Sequence, residues 1–156
     1  EYMALRSEIL AKPSSPQSEN NDLASDVVAM RKKMRDNLNK SDSKLWDIKQ
    51  GEGGLVDIEF LVQFWALSHS AILMEHLSNE ELPFNNVDWL QLLAKHGLIS
   101  QEVRDQLMMN YRVFREVGNH SSLQSQPQLM PKDELTQERQ QVSELWHSTF
   151  ENVEVQ

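Results

Sequence analysis

Three of the five glycines in this 156-residue chain fall within four positions, at Gly51, Gly53 and Gly54. Elsewhere the chain has few of the Gly and Pro breakers that a fold of many short strands needs at its turns. Its apolar residues recur at helical spacing instead, and runs of β-branched residues are rare. One tight turn inside a chain that otherwise reads as helix is therefore the strongest constraint. It points to an all-α bundle of about six helices, with a short extended segment before the Gly-rich turn. The length suits a single helical domain over 1–156, because a chain of ~150 residues buries roughly 70% of its unfolded surface.

The pattern predicts a short helix over Met3–Lys12 and a polar, Pro/Ser-rich loop over 13–21. A helix follows to about Leu38, capped by Asn21 or Asp22, with Leu23, Val27, Met30, Met34 and Leu38 as one buried stripe. Leu45–Lys49 reads as a short strand or extended arm. A helix from Leu55 to about Leu77 is apolar on almost every face in its first half, so it belongs at the centre. Asn85 or Asn86 begins a helix through Lys95, and Gly97 suits its C-terminal cap. Ser100 caps the next helix, with Val103, Leu107, Tyr111, Phe114 and Val117 inward. Pro127 and Pro131 bracket a loop, and a last helix covers about Asp133 to Asn152.

Charge and composition exclude several functions. Lys and Arg number 15 against 24 Asp and Glu, a net charge of −9, which argues against general nucleic-acid or anionic-membrane binding. With no cysteine there is no disulfide framework, thiolate metal site or Cys nucleophile. The most apolar stretch, around Phe60–Leu67, is far shorter than the ~20 residues of a membrane span. No signal-peptide pattern opens the chain, so the expectation is a soluble cytoplasmic protein. It begins with Glu1 rather than Met, which reads as a piece of something larger.

The chemistry concentrates in the segment from Lys49 to Phe60, KQGEGGLVDIEF. Glycines leading into a helix N-terminus can cradle an anion, with Lys49 adding a point charge. The same arrangement also makes a plain strand-to-helix turn, and no Walker sequence is present. On a regular helix Asp57 and Glu59 point ~200° apart, so they cannot both face one site, whereas Glu59 and Gln63 share a face. A buried carboxylate needs a partner. For Glu59 the candidates are Arg31, Lys33 or Arg35, a backbone donor, or a metal and substrate.

This segment resembles the K-x-G-x-G-G-x-x-D-I-E-F motif of the glutamine synthetase adenylyltransferase family and its uridylyltransferase relatives. Met30-Arg31-Lys32-Lys33-Met34 is similar to that family's M-R-x-K-M, and Glu138, Arg139, Val142 and Trp146 to its closing E-R-x-x-V-x-x-x-W helix. The resemblance runs from about Ala24 to Trp146. It implies a parent enzyme that uses ATP and Mg²⁺ to transfer AMP to a tyrosine of glutamine synthetase, and that removes the AMP phosphorolytically. Regulation by glutamine and by the PII signalling protein is implied as well. Each half of such an enzyme pairs a nucleotidyltransferase domain with a helical domain. This chain resembles the helical domain that follows the C-terminal catalytic domain. It departs from the catalytic pattern in having no G-S-x-x-D-x-D metal motif, so these residues by themselves are expected to be inactive. In the intact enzyme Lys49, Gly51, Gly53 and Gly54 are the expected phosphate contacts, with Asp57 and Glu59 in support. The alternative is a non-catalytic helical module that binds PII or glutamine synthetase.

Other candidates have plainer readings. Arg31, Lys33 and Arg35 form a basic patch for an anion or acidic partner, or else a solvated helix face on which Lys32 pairs with Asp36. The five histidines lack ligand spacing, so no metal is assigned to the chain. The four tryptophans, and Met108 and Met109, read as packing residues.

Overall fold

A computed structural model describes residues 16–76, 83, 85–122 and 129–151. The expected helix at Met3–Lys12 lies outside them. The described residues form six helices and one two-stranded ribbon: α1 (Pro16–Leu38), β1 (Leu45–Asp47), α2 (Leu55–Ser68), α3 (Ser70–His76), α4 (Asn86–Lys95), α5 (Gln101–Ser122), β2 (Leu129–Pro131) and α6 (Thr136–Phe150). The fold is the expected helical bundle.

Helix α2 is its axis. Ile58, Leu61 and Val62 are fully buried, and α1, α4, α5 and α6 all pack on this helix. Each such side chain contributes roughly 1.5–3 kcal/mol on burial. The larger core joins α2 to α4 and α5 through Leu90, Leu93, Leu107 and Phe114. A second cluster joins α2 to α1 and α6 through Ala24, Phe60, Trp146 and Phe150. The Phe150 ring lies 4.6 Å from Trp146 and 4.9 Å from Phe64.

Several helix ends follow the sequence closely. The Asn85 side chain accepts the Asp88 amide at 2.8 Å. The Ser100 hydroxyl accepts the Val103 amide at 3.1 Å. Gly97 takes a left-handed φ of 71°, and the Leu98 amide reaches back to the Leu93 carbonyl at 2.9 Å. That closes α4 in the way a glycine permits.

Other boundaries differ from expectation. α1 starts at Pro16, inside the segment expected to be a loop, so Asn21 and Asp22 lie within the helix. Proline suits a first helical position because its φ is preset and its missing N–H would have no helical partner there. The helix expected over Leu55–Leu77 breaks at His69. There the Ser68 hydroxyl donates to the Trp65 carbonyl at 3.3 Å, competing for the backbone ladder. Residues 129–131, expected in a loop, pair antiparallel with β1, with Trp46 opposite Met130. An edge position tolerates Pro131. α6 begins at Thr136 because Leu135 holds a left-handed φ of 52°. Met109 is 66% exposed and is not core filler, whereas Met108 packs on the core.

The inward face of α1 is also rotated by one residue from the expected stripe. Leu23 is buried and Val27 half-buried, but Met30 and Leu38 are exposed, at 42% and 48%. The buried line runs instead through Ala24 and Arg31. An arginine at the centre of a packed face requires a fixed acceptor, and that acceptor lies on α2.

Candidate functional site

The turn between β1 and α2 is built on Asp47. This residue is 4% exposed, and its carboxylate accepts the amides of Lys49 and Gln50, each at 3.0 Å, and that of Lys40 at 3.1 Å. Short acidic side chains commonly fold the following backbone back in this way. The glycines then let the chain pass where no side chain fits. A Cβ at Gly51 would lie 2.4 Å from Trp46 Nε1, and one at Gly53 would lie 2.4 Å from the Arg139 carbonyl oxygen. Gly53 also holds φ at 77°, a region that favours glycine. Arg139 returns the contact from α6, its guanidinium 4.2 Å over the Trp46 ring.

The amides of this turn are engaged inside the chain. Gly51 N–H donates to the Asp47 carbonyl at 2.8 Å, and Gly54 N–H to the Gly51 carbonyl at 3.1 Å. Gly53 N–H donates to Asp57 Oδ2 at 2.8 Å. The three glycine amides expected to cradle a phosphate therefore already have acceptors. The turn is closed on itself because a buried N–H needs a partner.

Asp57 is 1% exposed and faces α1. Arg31 donates to it through Nε at 2.5 Å, and Arg35 through Nη2 at 3.0 and 3.2 Å. The remaining Arg31 nitrogens reach the Gln50 side-chain oxygen at 3.0 Å and the Gln50 carbonyl at 2.8 Å. A buried guanidinium with all its nitrogens bonded is the arrangement that a low-dielectric site requires. Two members of the expected basic patch are therefore internal, and Lys33 is left exposed. Lys32 pairs with Asp36 at 3.1 Å on the solvated face, as its spacing predicts. Asp57 works as the keystone of the turn. Its position in the first turn of α2, facing Arg31, is what closes this face.

Glu59 lies on another side of α2, as the ~200° rotation requires. It is half-buried, and burial raises its carboxyl above the ordinary value. The positive charges of Lys49, Arg115 and Arg31, and a hydrogen bond with the Tyr111 side chain, oppose that rise. Arg31 and Arg35, two of the expected partners, are bonded to Asp57 instead. Lys49 is exposed, and its ammonium makes no hydrogen bond or ion pair among the described residues. Tyr111 and Arg115 come from α5, where sequence spacing turns Tyr111 inward without indicating either residue's polar role. The Tyr111 hydroxyl accepts from the Asn86 amide group at 3.1 Å, and Arg115 stands 5.6 Å over its ring. Gln63, one turn along, is half-buried.

The motif thus divides into a sealed half and an accessible half. Gly51, Gly53, Gly54 and Asp57 form the sealed half, while Lys49 and Glu59 keep contact with solvent. The accessible half can bind an anion or an acceptor-seeking hydroxyl. Among the described residues no group of three or more His, Asp or Glu is placed to hold a metal ion. Asp57 already carries two arginines. Elsewhere, burial lowers the pKa of His69. Trp46, Trp89 and Trp146 are buried packing residues. No helix among the described residues is long and apolar enough to cross a membrane.

A family model described as GlnD PII-uridylyltransferase matches residues 28–151. Similar curated proteins are bifunctional glutamine synthetase adenylyltransferase/adenylyl-removing enzymes. The one from Pasteurella multocida is 35% identical over 97% of this chain, and the one from Nitrosococcus oceani 34% over 97%. A third, from Hahella chejuensis, is 33% identical over 96%. In each case the chain spans about 15% of the relative's length.

Proposed function

The chain belongs to the family that unites the PII-uridylyltransferases of the matched model with the glutamine synthetase adenylyltransferases, and on that premise we propose that it is the helical domain adjoining the C-terminal catalytic domain of an enzyme that adenylylates and deadenylylates glutamine synthetase. Lys49 and Glu59 line the cleft against the nucleotidyltransferase domain. There Lys49 meets phosphate, and Glu59 accepts a hydrogen bond from the nucleotide or from an attacking group. The observation behind this reading is the division of the motif. Asp57 and the glycine amides are satisfied internally, while the Lys49 ammonium has no ion-pair partner among the described residues and Glu59 is half-buried with its carboxyl raised.

The catalytic metal and the nucleotide's main contacts belong to the neighbouring domain, since the sequence has no G-S-x-x-D-x-D and no metal-holding group is placed among the described residues. These residues alone are accordingly inactive. Glutamine synthetase is the protein substrate, PII a regulatory partner, and the cytoplasm the site of action. Lys49→Ala and Glu59→Gln in the intact enzyme test the reading. Both should fold normally and transfer AMP at least ten times more slowly. Unchanged transfer by both would favour a docking module that never touches nucleotide.

A further inference from the structure

We propose that Arg115 is a third member of this site, a phosphate-positioning residue supplied by α5. The proposal rests on the functional reading above and extends it to a residue outside the motif. Four observations carry it.

Arg115 is exposed, and its guanidinium lies 5.6 Å from the centre of the Tyr111 ring. Tyr111 is itself fixed: it is 6% exposed in the core, and its hydroxyl holds the Asn86 side chain at 3.1 Å. A guanidinium drawn to the face of an anchored ring is held near one position before any ligand arrives. Among the described residues Arg115 makes no hydrogen bond and no ion pair within 4.0 Å. Its fork of N–H donors is therefore open, as is the Lys49 ammonium.

Charge arithmetic points to the ligand. The positive charges of Lys49 and Arg115 both act on the Glu59 carboxylate, and that of Arg31 is matched by Asp57. Two cations around one carboxylate leave a local excess of one positive charge on a chain of net charge −9. Such an excess persists against the overall charge where an anion is to be held. Arginine donates to phosphate through two parallel N–H groups, whereas lysine offers a point charge. The pair suits a phosphate group, with Arg115 fixing its orientation and Lys49 adding attraction.

Phosphate reaches such a site either as part of ATP or as the inorganic ion. Both arms are read in the intact enzyme, with Arg115→Ala and Arg115→Lys compared with Glu59→Gln. In AMP transfer, Arg115→Ala should raise the KM for ATP about ten-fold with kcat within a factor of three, and Arg115→Lys should fall between it and the parent. In AMP removal, the KM for inorganic phosphate is measured in the same way. A rise in the first arm assigns the contact to the nucleotide, and a rise in the second to the free ion. Unchanged KM values in both arms for a normally folded Arg115→Ala, alongside an impaired Glu59→Gln, overturn the Arg115 assignment and leave the cleft reading standing. If Glu59→Gln and Lys49→Ala are also unimpaired, the cleft reading itself falls. If Arg115→Ala misfolds, Arg115→Lys decides. The lysine keeps the charge but loses the planar fork, so a KM equal to the parent's overturns the assignment.

Discussion

Arg31 and Asp57, 26 residues apart in sequence, form an ion pair in which each side chain is only 1% exposed. The pair fastens α1 to the start of α2, and the same carboxylate holds the Gly53 amide. One aspartate thus determines both a helix–helix contact and the shape of the turn.

Removing that carboxylate should be severe. Asp57→Ala leaves Arg31 charged and buried without its partner, which costs about 3–5 kcal/mol. Arg31→Met takes the charge away with the pairing, and Arg35 stays on Asp57, so it should cost clearly less. Urea denaturation midpoints measure the order. Equal losses would mean that the ion pair is not what the fold depends on.

Two glycines with similar φ make a controlled comparison. Gly97→Ala meets nothing within 4 Å and has only the unfavourable φ of 71° against it, worth about 1 kcal/mol. Gly53→Ala has the same conformational cost and in addition drives a methyl into the Arg139 carbonyl at 2.4 Å. Thermal unfolding should show Gly53→Ala losing at least twice as much as Gly97→Ala.

Glu59 predicts a pH dependence of stability. Its folded carboxyl titrates above the ordinary 4.5 of an unfolded chain. Between those two values the folded state holds a proton that the unfolded state has released, so stability falls as pH rises through the window. Above it, the charged form persists at a cost to the fold. Glu59→Gln removes this dependence. The variant should be at least as stable as the parent at pH 7, and the difference should shrink as pH falls below 4.5. Denaturation at pH 4 and pH 7 measures it, and a larger deficit for the variant at pH 7 would contradict it.

Local signals in the sequence carry much of this structure. Asn85, Ser100 and Gly97 act where their side chains, or the lack of one, predict. The opposite orientations of Asp57 and Glu59 follow from helix geometry alone. What stays hidden depends on partners distant in sequence. A count of apolar residues on α1 selects Met30 and passes over Arg31, because the acceptors that bury Arg31 lie at 50 and 57. β2 is three residues long, ends in proline, and exists only because β1 lies beside it. The motif glycines look like an anion cradle until Trp46 and Arg139 occupy the space next to them. Asp47, which folds the turn, stands among apolar residues of β1 and carries no signal of that role in the sequence pattern.

The seating of Gly53 against the Arg139 carbonyl has a consequence for protein engineering. Residues 86 positions apart share one surface, so the turn and α6 amount to a single transplantable part. A chimera that takes the 49–60 segment from a relative while keeping the host's α6 carries a mismatched joint. A graft that exchanges the two together preserves it.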